Sequence, residues 1–190
     1  GYDLRSSGGL GSSPPDPPPM RLAVLGMGKL GGTELNYVSD IDVLFCHEPI
    51  GGAVPGSAAR AAERVARGVM RGLSAVTSEG TCFEVDANLR PEGRNGPLSR
   101  TLGSYKAYWD RWAQPWEFQA LLKAVPVAGD PEVGSSWASA ASSALWGRRF
   151  DADDLRSLRA LKERAETDVV RRGLAEREVK RAPGGIRDIE

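Results

Sequence analysis

The chain has 190 residues, and Lys plus Arg balance Asp plus Glu at 25 each, so no net field draws it to nucleic acid. An apolar content of 41% over this length suffices for one domain with a real core and part of another. Two cysteines exclude a disulfide scaffold, and no apolar run approaches the roughly 20 residues that span a bilayer, so the expectation is a soluble protein of a reducing cytoplasm.

Residues 1–19 are rich in Gly, Ser and Pro and end in Pro14-Pro15-Asp16-Pro17-Pro18-Pro19, which reads as a disordered or polyproline-like linker. Residues 21–25 form a short apolar run ending in glycines, the pattern of a buried strand. Beyond the glycines, residues 33–37 have room for about one helical turn, and residues 41–45 read as a second strand. Cys46 and Cys82 both fall in apolar runs and are expected to be buried thiols. After a loop at 51–56, Ala58, Ala62, Val65, Val69, Leu73 and Val76 recur at helical spacing and predict a long amphipathic helix. Its other face carries Arg60, Arg64, Arg67 and Arg71, which read as a solvated face rather than a grip on nucleic acid or an acidic partner.

Residues 82–88 alternate well enough for a third strand, with Glu84 and Asp86 on one face. Residues 91–97 (PEGRNGP) are a turn-rich loop. Tyr105, Tyr108, Trp109 and Trp112 form an aromatic stripe that reads as core packing, Pro115 interrupts it, and residues 116–125 resume the helix. Asp130-Pro131 is an N-cap followed by proline at the first helical position, opening a helix towards Trp146. A last helix over 153–172 would turn Leu155, Leu158, Leu161, Ala165 and Val169 inward and stop at Gly173. The resulting division is a linker (1–19), an α+β core (20–130) and a helical extension (131–190) cut short at its C-terminus, so the chain reads as a piece of a longer protein.

The chemistry lies in residues 22–45, LAVLGMGKLGGTELNYVSDIDVLF. Gly26-Met27-Gly28-Lys29-Leu30-Gly31 fits the G-x-G-x-x-G dinucleotide fingerprint, but the next strand follows too soon for the crossover helix that fold requires. The P-loop pattern fails as well, because Lys29 precedes Gly31 and Gly32 and no Ser or Thr follows it. Asp40 and Asp42 survive the geometric test: residues two apart on a strand share a face, so both carboxylates project together while Ile41 and Val43 enter the core. Such a pair repels unless a cation lies between, and hard oxygen ligands suit Mg²⁺. A two-metal site calls for a further carboxylate from a neighbouring strand, for which Asp86 is the candidate. Backbone N–H groups of the glycine loop could approach a phosphate, with Lys29 and Arg90 as charge partners.

These residues carry a resemblance. Gly26-Met27-Gly28-Lys29-Leu30-Gly31-Gly32, Glu34-Leu35-Asn36 and Ser39-Asp40-Ile41-Asp42 resemble the signature of the glutamine synthetase adenylyltransferase/adenylyl-removing enzymes, members of the polymerase-beta-like nucleotidyltransferase superfamily. Val85-Asp86, Leu89-Arg90-Pro91, Gly96-Pro97-Leu98, Trp116-Glu117, Gln119-Ala120-Leu121, Gly129-Asp130 and residues 184–190 (GGIRDIE) resemble later blocks of that family in the same order. The resemblance implies a polymerase-beta-like fold, a small mixed sheet flanked by helices and followed by a helical region. It implies Asp40, Asp42 and Asp86 as ligands of two Mg²⁺ ions, and Gly28, Lys29, Gly31, Gly32, Ser39 and Arg90 at the nucleotide and phosphate. Glutamine synthetase is then the protein substrate, ATP, ADP and phosphate are the small ligands, and a PII-type protein is the regulator. The enzymes of this family have two homologous halves, one removing AMP from a tyrosine by phosphorolysis and one attaching it from ATP. Residues 171–174 and 184–190 look more like the removing half. Many members have Arg-Leu-Arg-Pro where this chain has Asn88-Leu89-Arg90-Pro91, which leaves one basic contact to be supplied elsewhere. A non-catalytic docking module on the same fold is the rival from another class, and a nicotinamide-dependent oxidoreductase ranks below both. His47 reads as structural, and Lys123 as either a phosphate partner or a solvated cation.

Overall fold

A computed structural model describes residues 19–174, 177–180 and 182–185. Residues 1–18 of the expected linker and the closing stretch 186–190 lie outside the described residues. The fold is mixed α+β. In chain order it runs β1 (Met20–Gly26), α1 (Gly28–Gly31), β2 (Ile41–Pro49), α2 (Pro55–Ser74), β3 (Val76–Thr77), β4 (Gly80–Thr81), β5 (Val85–Asp86), a 3₁₀ turn at Gly93–Asn95, β6 (Ser99–Arg100), α3 (Leu102–Arg111), α4 (Pro115–Leu121), β7 (Val125–Gly129), α5 (Pro131–Gly147) and α6 (Ala152–Arg171).

Five strands make one mixed sheet. β1 lies between β2 and β7 and is antiparallel to both. The outer edge of β2 is shared by two short parallel partners, β5 opposite Ile41 and Asp42, and β6 opposite Phe45 and Cys46. β3 and β4 pair with each other in a separate hairpin.

Alternation along the strands divides the interior in two. Ala23, Leu25, Leu44 and Cys46 face a layer made by α3, α4 and α5, where Trp137 is fully buried. Tyr105, Trp109 and Trp137 meet there with ring centroids 5.4–5.6 Å apart, and the Tyr105 hydroxyl donates to the Phe45 carbonyl at 3.1 Å. Val24, Ile41, Val43 and Phe45 face the other way, against Ala66, Val69, Met70 and Leu73 of α2. Asp130 caps α5 as its sequence predicts, accepting from the N–H groups of Glu132 and Val133; such a cap is worth about 1 kcal/mol.

Several expectations fail for identifiable reasons. The third strand shrinks to Val85–Asp86, and Cys82, outside it, is exposed. Residues 33–37 form no helix; the short α1 instead occupies Gly28–Gly31. The helix expected over 116–125 ends at Leu121, because Val125 begins β7, an edge strand whose exposed side chains give no alternating signal. α2 buries alanines, Ala58, Ala61, Ala62 and Ala66, while Val65 stays exposed and Val76, expected in the helix, lies beyond it in β3 and is exposed too. Trp112 is 69% exposed, beyond the end of α3. α6 buries only Val169 fully, leaving Leu155 and Leu161 at 48% and 40% exposure. Gly173 follows it with φ +69°, the left-handed stop the sequence predicts.

Two glycine-to-alanine substitutions should move stability in opposite directions. A methyl at Gly31 would lie 1.7 Å from the Lys123 carbonyl oxygen, whereas one at Gly68, inside α2, would meet nothing within 4 Å. Gly31→Ala is expected to destabilise by about 2–3 kcal/mol and Gly68→Ala to stabilise by about 0.5–1 kcal/mol, both read from urea denaturation. Equal effects at the two positions would contradict the packing described for α1.

Candidate functional site

The acids gather at the N-terminal end of β2. Its backbone is fixed from both sides: the Met27 N–H donates to the Asp42 carbonyl at 2.9 Å, and the Ile41 N–H donates to the Glu84 carbonyl at 2.9 Å. Ile41 and Val43 are buried against the α2 side, so Asp42 between them turns to the opposite face and is half-buried. The parallel pairing with β5 puts Asp86 directly opposite Asp42. Parallel neighbours in register project to the same face, so two distant segments bring their carboxylates together. Asp40, just before the strand, is exposed.

The electrostatics follow from this crowding. The Asp42 carboxyl is held above its ordinary range, first by burial and then by the negative charges of Asp40 and Asp86, with Lys180 and Lys29 acting in the opposite direction. Gly28 makes the tight fit possible. It has φ +49°, and a side chain there would come within 3.1 Å of Asp42 Oδ2, so the glycine loop passes directly over the carboxylate.

The other sequence candidates take varied positions. Lys29 donates to Asn36 Oδ1 at 3.2 Å. Gly31 packs against the Lys123 backbone, and Gly32 lies beside the Glu34 and Lys123 side chains, which form an ion pair at 2.7 Å. The Ser39 hydroxyl donates to the Asp40 carbonyl at 3.0 Å. Arg90 directs Nη1 to the Ala87 carbonyl at 2.8 Å and Nε to the Gly96 carbonyl at 3.1 Å, so it folds the loop after β5 around itself. His47 is buried with Nδ1 2.8 Å from Ser99 Oγ, and burial pushes its pKa down, a structural histidine as its sequence position implies.

The donor set, three carboxylates whose mutual repulsion a cation would relieve, fits Mg²⁺. It is an open arrangement: among the described residues no three His, Cys, Asp or Glu side chains form a ready metal cluster. Asp86 is held locally, its Oδ1 accepting from the Asn88 N–H at 2.6 Å. Sequence reasoning did not single out Lys180, whose charge reaches Asp42 from the segment after α6. It also passed over the setting of the α2 arginines. Arg64, Arg67 and Arg71 line an open groove of about 980 Å³ whose wall includes Asp40 and Asp86. Only the helical spacing of those arginines hinted at a shared face.

The family model described as glutamate-ammonia ligase adenylyltransferase matches residues 8–140. The chain is 49% identical over 179 residues to the bifunctional glutamine synthetase adenylyltransferase/adenylyl-removing enzyme of Streptomyces avermitilis, covering 94% of this chain and 18% of that protein. It is 46% identical over 182 residues to the same-named protein of Streptomyces coelicolor, with coverages of 94% and 18%. The Mycobacterium tuberculosis protein of that name is 46% identical over 177 residues, with coverages of 92% and 18%. The chain thus spans about a fifth of the length of the curated relatives it matches. By the extent of the matched model and by these identities, the chain belongs to the glutamate-ammonia ligase adenylyltransferase family.

Proposed function

We propose that this chain is the nucleotidyltransferase core of one half of such an enzyme, of polymerase-beta-like fold, acting on glutamine synthetase in a cytoplasmic setting. The direction proposed is removal: an oxygen of inorganic phosphate attacks the phosphorus of a tyrosyl-AMP diester, the bond to the tyrosine oxygen breaks, and ADP and the free tyrosine hydroxyl result. The attachment direction uses ATP and releases pyrophosphate. The observation that carries this reading is the register of Asp42 opposite Asp86 beneath the Gly28 backbone.

Asp40, Asp42 and Asp86 would hold Mg²⁺, which when bound supplies charge neutralisation at the transferred phosphoryl group. The chain's own residues do the rest. Gly28 lets the loop lie close to the reacting group, and Lys29, held by Asn36, adds positive charge on that side. Ser39 braces the backbone at Asp40, and Arg90 holds the loop that follows Asp86. In this reading Gly31 and Gly32 act by shaping the loop. A PII-type protein as regulator belongs to the same proposal. The rival, a docking module that transfers nothing, draws on the Asn88 hold on Asp86, which a bound cation has to share.

Asp42→Asn is expected to lower the rate by about a thousandfold or more, with circular dichroism unchanged. The assay uses the full-length parent protein and adenylylated glutamine synthetase, and scores ADP released on adding phosphate and Mg²⁺. Near-normal release by the variant would refute the assignment, and absence of release by the wild type in either direction would favour the docking module.

The raised Asp42 carboxyl makes a separate prediction about stability. A carboxyl whose pKa is higher folded than unfolded costs the folded state stability as pH rises through the folded value, and costs nothing below the ordinary aspartate pKa of about 3.9. In chelator at neutral pH, Asp42→Asn should therefore melt higher than the wild type, and the gap should close on acidification. Added Mg²⁺ should stabilise the wild type and not the variant. A wild type that melts higher than the variant in chelator would show that the cationic neighbours outweigh burial and repulsion.

A further inference from the structure

We propose that the tip formed by Tyr37 and Val38, between α1 and β2, is a docking surface for the protein substrate, received in an apolar recess beside the residue that the substrate presents to the acids. The loop of residues 33–40 reverses the usual polarity of a surface loop. Its polar groups are committed within the chain: Glu34 pairs with Lys123 at 2.7 Å, Asn36 Oδ1 accepts from Lys29 at 3.2 Å, and the Ser39 hydroxyl donates to the Asp40 carbonyl at 3.0 Å. Its apolar side chains are left outside, Leu35 exposed and Tyr37 and Val38 fully so. The Ser39 N–H donates to the Asn36 carbonyl at 3.3 Å, closing a turn with Tyr37 and Val38 at its two central positions. Val38 takes φ +59°, a conformation that the second central position of a turn ordinarily reserves for Gly or Asn and that is strained for a β-branched residue.

The fold gains nothing from this arrangement. A side chain left wholly in solvent does not offset the strain beneath it, so the apolar tip has its use outside the chain, and strain of this kind gathers at binding and catalytic sites. Its place points to the partner. Tyr37 stands three residues before Asp40, within about 10 Å even along a fully extended chain, so a macromolecule that brings a group to Asp40, Asp42 and Asp86 lays its own flanking surface against the tip. A small ligand held at the acids does not cover two side chains that project from the turn, whereas a protein surface does. An aromatic ring with an aliphatic neighbour is also the kind of anchor that carries affinity between proteins once buried. Glu34 and Asp40 flank the tip, which disfavours an anionic membrane surface. The inference rests on the adenylyl-transfer reading for its partner, glutamine synthetase, and adds the contact by which that partner is held.

Binding and turnover by the full-length parent protein test it. Immobilised adenylylated glutamine synthetase, without phosphate so that nothing turns over, is expected to bind Tyr37→Ser and Val38→Asn about tenfold more weakly than the wild type. The KM for the same protein substrate should rise in step, while kcat and the KM for phosphate hold. Tyr37→Phe should bind as the wild type does, because the ring and not the hydroxyl is the anchor, and so should Val54→Ser, an exposed valine beyond the far end of β2. Val38→Asn should melt no lower than the wild type, since Asn adopts positive φ more readily, so its weaker binding is not a folding defect. Wild-type binding by Tyr37→Ser and Val38→Asn, an equal loss in Val54→Ser, or a fall in kcat alone would overturn the docking surface. So would self-association of the parent in sedimentation that both variants abolish, which would make a second copy the occupant. A parent that binds glutamine synthetase through the tip yet releases neither ADP nor pyrophosphate would overturn the adenylyl-transfer reading and leave the surface standing. Normal binding and turnover in both variants would do the reverse, and a wild type that neither binds nor turns over would overturn both.

Discussion

The acidic site depends on the register of β2. Ile41, Val43 and Phe45 are locked against α2, while Leu44 and Cys46 are locked against the aromatic layer. Because side chains alternate with period two, a slip of one residue would drive Asp42 into the α2 interior and expose two β-branched residues. The hydrophobic core therefore fixes where the carboxylates point, and the parallel ladder to β5 fixes what they face. Asp42 can remain half-buried among like charges because both of its flanking residues are anchored.

Charge is segregated around this point. Acids lie at the end of β2 and on β5, Lys29 approaches over the glycine loop, and arginines line the α2 side. Positive and negative groups are close but mostly not joined in pairs at the site, in contrast to the periphery, where Arg21 bridges to Glu132 and Arg148 to Asp154. Peripheral pairs of that kind contribute little to stability.

Much of this was legible in the sequence, where local pattern and tertiary demand agree. The strand before the glycines, the cap at Asp130 and the inward turn of Ile41 and Val43 on either side of Asp42 all predict what is observed, although β2 begins at Ile41 and leaves Asp40 just outside it. β7 was not legible, because all five of its residues are exposed and its place is set by pairing with β1. Nor was the brevity of β5, since alternation over 82–88 reports which side chains prefer a face and not which backbone groups find a partner. The role of Gly31 was hidden too: a fingerprint glycine and a packing glycine look alike until Lys123, distant in sequence, is seen against it. The groove was half visible, as a stripe of arginines whose neighbours only the fold reveals.

β5 contributes just two residues to the sheet, at an outer edge, yet it carries one of the three acids. Short edge segments with few ladder bonds open locally at lower free energy than the whole domain. The seat of Asp86 opposite Asp42 is consequently no sturdier than the two-residue ladder that makes it, whereas Asp42 sits on a nine-residue strand paired with β1 from Val43 to Pro49.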